Sequence, residues 1–324
     1  MKAILCTHYG MPQVLSLREV PAPSPGPKQV LIQVKACGVN FPDLLLIQNK
    51  YQFKPELPFV PGGEVAGTIC EIGEGVEGLE LGQPVLALCG WGGFAEKVAV
   101  EADRVLPLPP GISFEIAATT LYTYGTSYHA LKDRADLHPG ETLLVLGAAG
   151  GVGLAAVELG ALMGARVIAA ASSEEKLALC KKKGAIETIN YESEDLKSRI
   201  KELTDGKGVD VVYDPVGGKF AEAALRGMAW KGRYLVVGFA NGDIPQLPMN
   251  LPLLKGCSVV GVFWGQFSKL EPKASYSNTR QLLAWIQEGK IIQHVGARYS
   301  LEEAPRALQD LMDRKMMGKG VVIF

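Results

Sequence analysis

Short runs of alternating apolar and polar residues occupy residues 28–110. The clearest runs are 29–36, 64–72 and 84–88, and segments rich in Gly and Pro separate them. Alternation with a period of two is typical of strands that bury one face, and turn residues between short strands favour antiparallel pairing. This part of the chain therefore predicts a small curled sheet or barrel.

The pattern changes near residue 115, where a helical stretch over 114–132 begins. Further helical segments then alternate with continuous apolar runs, which cover 143–146, 166–171, 209–213 and 234–238. Strands without alternation are buried on both faces, as in a parallel sheet covered by helices. We therefore predict an α/β fold with a doubly wound parallel sheet.

The tail from residue 263 has two helical patterns, Tyr276 to Glu288 and Leu301 to Asp313, and ends in the apolar run Gly320 to Phe324. A terminal strand must pair with some sheet, and the sheet of the first domain is otherwise small. We therefore expect the tail to return to the first domain. The predicted domain ranges are 1–120, 121–262 and 263–324.

Composition narrows the class of protein. The chain has 324 residues, of which 48% are hydrophobic, 33 are basic and 34 are acidic. A nucleic-acid-binding protein needs a basic excess or stripe, which is absent here. The chain becomes polar at residues 7–10, too early for the apolar region of an export signal, so we expect no export signal. The uncharged stretch 143–157 is shorter than the ~20 residues of a membrane span. Six scattered cysteines without a C-x-x-C pair favour reduced thiols, so we expect a cytoplasmic protein.

The apolar run 143–146 leads directly into Gly147-Ala148-Ala149-Gly150-Gly151-Val152-Gly153. A turn of small residues between a strand and a helix lets backbone N–H groups approach a pyrophosphate, and the start of the helix adds partial positive charge. Ala148 replaces the first glycine of the G-x-G-x-x-G pattern. We predict a dinucleotide site, and the alternative is a helix that merely packs tightly against a strand.

The next apolar run ends at Ala171 and is followed by Ser172, Ser173 and Lys176. An NAD site normally has Asp or Glu at this point to bind the ribose 2′-hydroxyl. Two hydroxyls and an ammonium suit a 2′-phosphate instead, so we predict NADPH as the cofactor. The alternative is that Ser173 only caps a solvated helix.

Several motifs together carry a family resemblance, and they span essentially the whole chain. They are Ala36 to Asp43, Pro61 to Gly67, Tyr124-Gly125-Thr126 and Gly147 to Gly153. In this order and spacing they resemble the zinc-independent medium-chain dehydrogenase/reductases, in particular the NADPH:quinone oxidoreductases of the zeta-crystallin family. Glu222 to Trp230, with Trp264-Gly265, is similar to the quinone oxidoreductase-like branch.

The resemblance implies a GroES-like β-barrel catalytic domain, a Rossmann domain inserted into it, and NADPH in the cleft between them. It also implies a role for individual residues of this sequence. Asn40 and Thr126 would lie near the nicotinamide, whose half of the site would be edged by Gly238, Phe239, Val262, Phe263 and Trp264. The pyrophosphate would be lined by Ala148, Ala149, Gly150, Gly151 and Val152. The adenosine phosphate side would be held by Lys176, Tyr191 and Arg314.

The zinc alcohol dehydrogenases of the same family carry a Cys and a Gly-His-Glu where this chain has Asn40 and Gly62-Gly63-Glu64. A thiolate and an imidazole ligand are therefore missing, and we expect no metal. Cys37 lies three residues too early and is expected to be a small core residue.

Without a metal, the hydride acceptor must be reactive on its own, so a quinone is the expected substrate. Tyr51 is the candidate proton donor or stacking residue, with Asn40 as a polar orienter. The alternative for Tyr51 is a solvent-facing loop aromatic. Leu45 stands where some relatives have a second tyrosine, which makes the mouth of the site more apolar.

Two other functions remain open. One is reduction of α,β-unsaturated carbonyls, either an alkenal or an enoyl-thioester, and the other is NADPH binding with little turnover. The apolar run Ser258 to Trp264 suits edge-strand pairing between two copies, so a homodimer is expected, and the alternative is a buried strand of a monomer.

Overall fold

The protein is described by a computed structural model that covers residues 1–324. The chain divides into two compact units. Unit 1 comprises Met1–Tyr122 with Gln293–Phe324, and unit 2 comprises Thr123–Ile292.

Fifteen strands follow one another along the chain. They are β1 (Lys2–Cys6), β2 (Leu15–Glu19), β3 (Gln29–Val39), β4 (Glu64–Ile72), β5 (Pro84–Leu88), β6 (Lys97–Glu101), β7 (Val105–Pro107), β8 (Thr142–Val145), β9 (Arg166–Ala171), β10 (Glu187–Asn190), β11 (Val209–Asp214), β12 (Met228–Val236), β13 (Ser258–Gly261), β14 (Val295–Tyr299) and β15 (Lys319–Ile323).

Eleven α-helices lie between them. They are α1 (Phe41–Ile47), α2 (Phe114–Ala117), α3 (Thr126–Tyr128), α4 (Gly151–Leu162), α5 (Glu174–Lys182), α6 (Leu196–Leu203), α7 (Phe220–Arg226), α8 (Asn250–Lys255), α9 (Trp264–Leu270), α10 (Pro272–Gln287) and α11 (Ala304–Met312). Two π-helical segments, Leu121–Gly125 and His129–Arg134, interrupt the helical stretch predicted over 114–132.

Unit 1 is built on a seven-stranded sheet with the order β14-β15-β3-β4-β5-β7, in which β6 also pairs with β3. All these pairings are antiparallel except that of β14 with β15. The last strand runs beside β3, with Gly320 opposite Val39 and Ile323 opposite Ala36. The predicted return of the terminal strand to the first domain is therefore confirmed.

Unit 2 contains six parallel strands in the order β10-β9-β8-β11-β12-β13. The strand β8 lies inside the sheet, and Leu143, Leu144 and Val145 are all fully buried. Leu143 and Val145 belong to one apolar cluster and Leu144 to another, because alternate side chains point to opposite faces. Two buried faces are what a doubly wound parallel sheet requires, so that prediction is confirmed.

The predicted domain boundary at residue 263 differs from the structure, in which unit 2 continues to Ile292. The reason is packing: Leu282 of α10 and Ile291 are buried in an apolar cluster of unit 2, and Trp285 and Ile286 pack against it. The helix α10 therefore belongs to unit 2, and only β14, α11 and β15 belong to the part of the tail that returns to unit 1.

Candidate active site

The turn between β8 and α4 is held to the parallel sheet by backbone hydrogen bonds. The Leu146 N–H donates to the Tyr213 carbonyl at 3.0 Å, and the Ala148 N–H donates to the Ala170 carbonyl at 3.0 Å. Gly150 is the N-cap of α4, and no acidic residue lies in the first turn of this helix. The start of α4 therefore presents N–H groups and partial positive charge, as a pyrophosphate requires.

Gly153 allows α4 to lie directly against this turn. A Cβ atom at this position would lie 2.3 Å from the Gly147 oxygen and 2.9 Å from the Ala148 Cα. Tight packing of helix against strand therefore explains Gly153. At Gly150 a Cβ would meet only the Gly147 oxygen at 3.4 Å, so packing does not require glycine there, and its absence of a side chain leaves the backbone open to a ligand. These residues fit the pyrophosphate of a dinucleotide.

The carboxyl end of β9 carries a hydroxyl–ammonium pair. Lys176 Nζ donates to Ser172 Oγ at 3.0 Å, and β9 ends one residue earlier, at Ala171. Ser173 is the N-cap of α5, because its Oγ accepts the Lys176 N–H at 3.4 Å. Ser172 and Lys176 are therefore positioned for an anion, while Ser173 also has the capping role.

Tyr191 follows β10, which is the parallel neighbour of β9. Its N–H donates to the Ala171 carbonyl at 3.2 Å, and its ring lies 4.4 Å from that of Phe220. Since the carboxyl ends of parallel strands meet at one edge, Tyr191, Ser172 and Lys176 lie along the same edge of the sheet.

The residues predicted at the nicotinamide half follow β12 and β13 at the same edge. The Val262 N–H donates to the Val236 carbonyl at 2.9 Å, which ties the two strand ends together. Phe239 and Phe263 are exposed, whereas Val262 and Trp264 are buried. A Cβ on Gly125, next to Thr126, would lie 2.8 Å from the Trp264 ring, so Thr126 lies near this group. The predicted residues Asn40, Tyr51 and Arg314 belong to unit 1.

In unit 1, the buried amide of Asn40 has hydrogen bonds at both ends. Its Nδ2 donates to Glu64 Oε2 at 3.3 Å and to the Gly38 carbonyl at 3.2 Å, and Lys319 Nζ donates to its Oδ1. Lys319 also donates to the Val39 carbonyl at 2.8 Å. The orientation of the Asn40 amide is therefore fixed by Glu64 and Lys319.

Glu64 and Lys319 form a buried charged pair. Glu64 is 0% exposed and Lys319 6%, with Nζ and Oε2 3.9 Å apart. Glu64 Oε1 also accepts the Leu121 N–H at 2.5 Å and the Tyr122 N–H at 3.3 Å. Burial raises the pKa of Glu64 to about 7, although the charge of Lys319 acts in the opposite direction. Burial lowers the pKa of Lys319.

Asp43 is the second buried carboxylate of this cluster. It accepts the Asn40 N–H at 2.8 Å and the Gly62 N–H at 3.2 Å. Burial raises the pKa of Asp43 to about 6, although these bonds and Lys319 lower it. The cluster therefore places two carboxylates, one ammonium and one amide in the interior of unit 1.

Tyr51 is half-buried and packs against the apolar core of unit 1. Its ring lies edge-on to Phe53 at 6.0 Å. Burial, and then the charge of Asp43, raise the pKa of the Tyr51 phenol. Tyr51 is thus near the buried cluster rather than being a purely solvent-facing aromatic, and Leu45 is likewise half-buried.

Three members of the cluster were missed by sequence reasoning as site residues: Asp43, Glu64 and Lys319. Their common signal is a charged residue within a strongly apolar context, at the start of β4 for Glu64 and at the start of β15 for Lys319.

Cys37 is fully buried, as expected of a core residue, and all six cysteines are free. No three His, Cys, Asp or Glu side chains in the structure are grouped so as to hold a metal ion. None of its helices combines the length and apolar character that crossing a bilayer requires.

Two known protein families match the chain. Residues 26–110 match the family described as alcohol dehydrogenase GroES-like domain, and residues 151–288 match the family described as zinc-binding dehydrogenase. A GroES-like domain combined with a parallel Rossmann-type sheet defines the class of two-domain dehydrogenases.

Full-length relatives place the chain more narrowly. It is 41% identical to a quinone oxidoreductase-like protein 2 homolog of Nematostella vectensis over 324 residues, which is 99% of this chain and 88% of the relative. It is 35% identical to a quinone oxidoreductase of Pseudomonas aeruginosa, with 99% of both chains covered. The chain therefore belongs to the quinone oxidoreductase branch of the medium-chain dehydrogenase/reductase family, which confirms the resemblance seen in the sequence.

A solved structure gives the same result. The quinone oxidoreductase of Escherichia coli in complex with NADPH superimposes with a TM-score of 0.94 at 30% identity, and all of both chains is covered. The predicted cofactor agrees with the one bound by that relative.

Proposed function

We propose that this protein is an NADPH-dependent reductase that transfers hydride to a quinone without a metal ion. The observation that carries the proposal is the Ser172–Lys176 pair at the end of β9, where an NAD-binding site has a carboxylate. Relatives named quinone oxidoreductase, one of them solved with NADPH, support the same cofactor and acceptor.

Bound NADPH would supply the hydride, and the side chains of this protein would bind and orient it. The N–H groups at the start of α4 bind the pyrophosphate, and Ser172 and Lys176 bind the 2′-phosphate by charge-assisted hydrogen bonds. Tyr191 packs beside this phosphate site. Asn40 offers a rigid amide, because Lys319 and Glu64 hold both of its ends.

The donor set argues against a catalytic zinc ion. Asn40 is a poor zinc ligand, Gly63 has no side chain, and the Asn40 oxygen already accepts a bond from the Lys319 ammonium. The acceptor must then be electrophilic without Lewis-acid help. Correct placement of the reactants contributes ~7–11 kcal/mol to lowering the barrier, which suits an acceptor as reactive as a quinone.

A parallel assay tests this proposal. NADPH oxidation is measured with 9,10-phenanthrenequinone, a short 2-alkenal and an enoyl-CoA, and the series is repeated with NADH. We expect the quinone to give the highest kcat/KM and NADPH to be preferred. Faster turnover of the alkenal or the enoyl-CoA would make this a reductase of unsaturated carbonyls. Tight NADPH binding without turnover would make it a binding protein.

We also propose that two copies pair through β13. This strand is the outer strand of the parallel sheet, and its Val259 is 45% exposed, which supports pairing with a second copy. Trp230, Met249 and Leu253 of unit 2 are 67–78% exposed. Pairing would cover both the open backbone groups and apolar surface. The free cysteines support a cytoplasmic location.

A further inference from the structure

The space that a side chain at position 63 would need is filled by the phenol of Tyr122. A Cβ atom on Gly63 would lie 2.8 Å from the Tyr122 hydroxyl oxygen, 3.2 Å from its Cε2 and 2.9 Å from the Gly90 carbonyl oxygen. The phenol oxygen thus lies 2.8 Å from where the Cβ atom would be in the residue that is histidine in the zinc alcohol dehydrogenases. The hydroxyl group of Tyr122 therefore occupies part of the space that a metal-binding side chain would need at position 63.

The position of Tyr122 is fixed by the buried charged cluster of unit 1. Its backbone N–H, together with that of Leu121, donates to Glu64 Oε1, and the other oxygen of Glu64 accepts from Asn40. The same carboxylate therefore holds both the backbone of Tyr122 and the amide of Asn40. This links the phenol to Asn40, which the family resemblance implies lies near the nicotinamide.

The surroundings of the phenol keep it protonated. Burial raises the pKa of Tyr122 well above its ordinary range, and the nearby acidic groups Asp43, Tyr51, Cys89 and Glu64 act in the same direction. A phenol of this kind is neutral at physiological pH. It can therefore donate a hydrogen bond or a proton, and it does not act as a base.

We propose that Tyr122 is a catalytic proton donor to the acceptor oxygen. This inference rests on the proposed function. Addition of a hydride to the acceptor brings two electrons and leaves an oxyanion. The Tyr122 O–H bond then breaks, a new O–H bond forms on the acceptor oxygen, and the resulting phenolate takes a proton from water. The net reaction consumes one proton from solvent for each hydride transferred, so atoms and charge balance.

The two acceptor classes should depend on this step differently. A hydroquinone anion formed from a quinone can also be protonated by water, whereas an enolate formed from an alkenal is a stronger base that depends more on a placed donor. Loss of the Tyr122 hydroxyl should therefore slow alkenal reduction more than quinone reduction.

The first test compares Tyr122→Phe with Tyr51→Phe, the rival donor. Tyr276→Phe serves as control, because Tyr276 is 51% exposed on α10 of the other unit. Removal of a positioned donor costs about 100-fold in rate, so we expect Tyr122→Phe to lose that factor in kcat with an alkenal. The Kd for NADPH should stay unchanged, and the solvent deuterium isotope effect on kcat should change. A larger loss for Tyr51→Phe, or an unchanged kcat and isotope effect in Tyr122→Phe, would overturn the proposal.

The second test does not need turnover. The phenolate of 4-nitrophenol mimics the oxyanion and is titrated into the NADP⁺-loaded wild type and into the same variants. We expect about 10-fold weaker binding to Tyr122→Phe, as for one lost hydrogen bond to a charged group. Equal affinity of wild type and variant would overturn the role of Tyr122. If no acceptor is reduced by the wild type, the proposed function fails, and this titration still decides whether Tyr122 binds an oxyanion.

Discussion

Replacing Lys319 by methionine removes the cation from the buried cluster while keeping a similar volume. Lys319 contacts Glu64, the Asn40 oxygen and the Val39 carbonyl, and all of these groups are buried with it. Removing one partner of a buried pair costs about 3–5 kcal/mol, because the other charge is left uncompensated. We expect a loss of this size in the free energy of unfolding, provided that Glu64 is ionised.

The loss should depend on pH in a definite direction. The pKa of Glu64 is raised from 4.5 to about 7, so its ionisation costs stability as pH rises through this range. At ~1.4 kcal/mol per pH unit, the wild type loses about 3 kcal/mol in this way. Lys319 lowers the pKa of Glu64, so this pKa should be higher in Lys319→Met. The loss of stability that accompanies ionisation of Glu64 should then continue to higher pH in the variant. Lys319 also lowers the pKa of Asp43.

Urea unfolding followed by circular dichroism at about pH 5.5 and about pH 8.5 checks this expectation. The destabilisation by Lys319→Met should be larger at the higher pH, and Glu64→Gln in the same chain should restore part of the stability there. Lys35→Met is the matched control, because Lys35 is an exposed lysine on β3, the strand paired with β15. A pH-independent loss, or a double variant no more stable than Lys319→Met, would refute the reasoning about the buried pair.

Three further predictions concern the cofactor and the assembly. Gly153→Ala places a Cβ 2.3 Å from the Gly147 oxygen and should raise the Kd for NADPH at least about 10-fold by calorimetry, since the N-terminus of α4 must move away from the turn; an unchanged Kd would contradict this. Lys176→Ala should weaken the binding of NADPH by about 10-fold without affecting the binding of NADH, as expected of one charge-assisted hydrogen bond. Lys181→Ala, at an exposed lysine of the same helix, should change the affinity for neither cofactor. In sedimentation, the wild type should have twice the 34.7 kDa mass of one chain and Val259→Asp should be monomeric; a monomeric wild type would rule out pairing through β13.

The parts of the fold that the sequence predicted well are those that depend on local pattern. The apolar run 143–146 and the small residues after it lie next to each other in the chain, so strand, turn and helix could be predicted together. The same holds for the closing strand Gly320 to Phe324. The boundary near residue 263 could not be placed, because an amphipathic helix such as α10 can pack against either unit, and only tertiary contacts decide which.

The cluster in unit 1 was the least predictable part of the site. Asn40, Glu64, Tyr122 and Lys319 are far apart in sequence, so no local pattern brings them together. Sequence reasoning identified Asn40 and noted that Gly63 lacks a side chain. It did not identify the phenol that fills this space, because the approach of Tyr122 to Gly63 depends on how the segment after α2 packs on β4.

The central claim is hydride transfer from NADPH to a quinone without a metal. It is tested most directly by measuring the kcat/KM for 9,10-phenanthrenequinone with NADPH on protein that has been stripped of metal by a chelator. We predict that turnover is undiminished by stripping and exceeds that with the alkenal and the enoyl-CoA. Activity that disappears on stripping and returns with zinc, or no quinone reduction at all, would contradict this account.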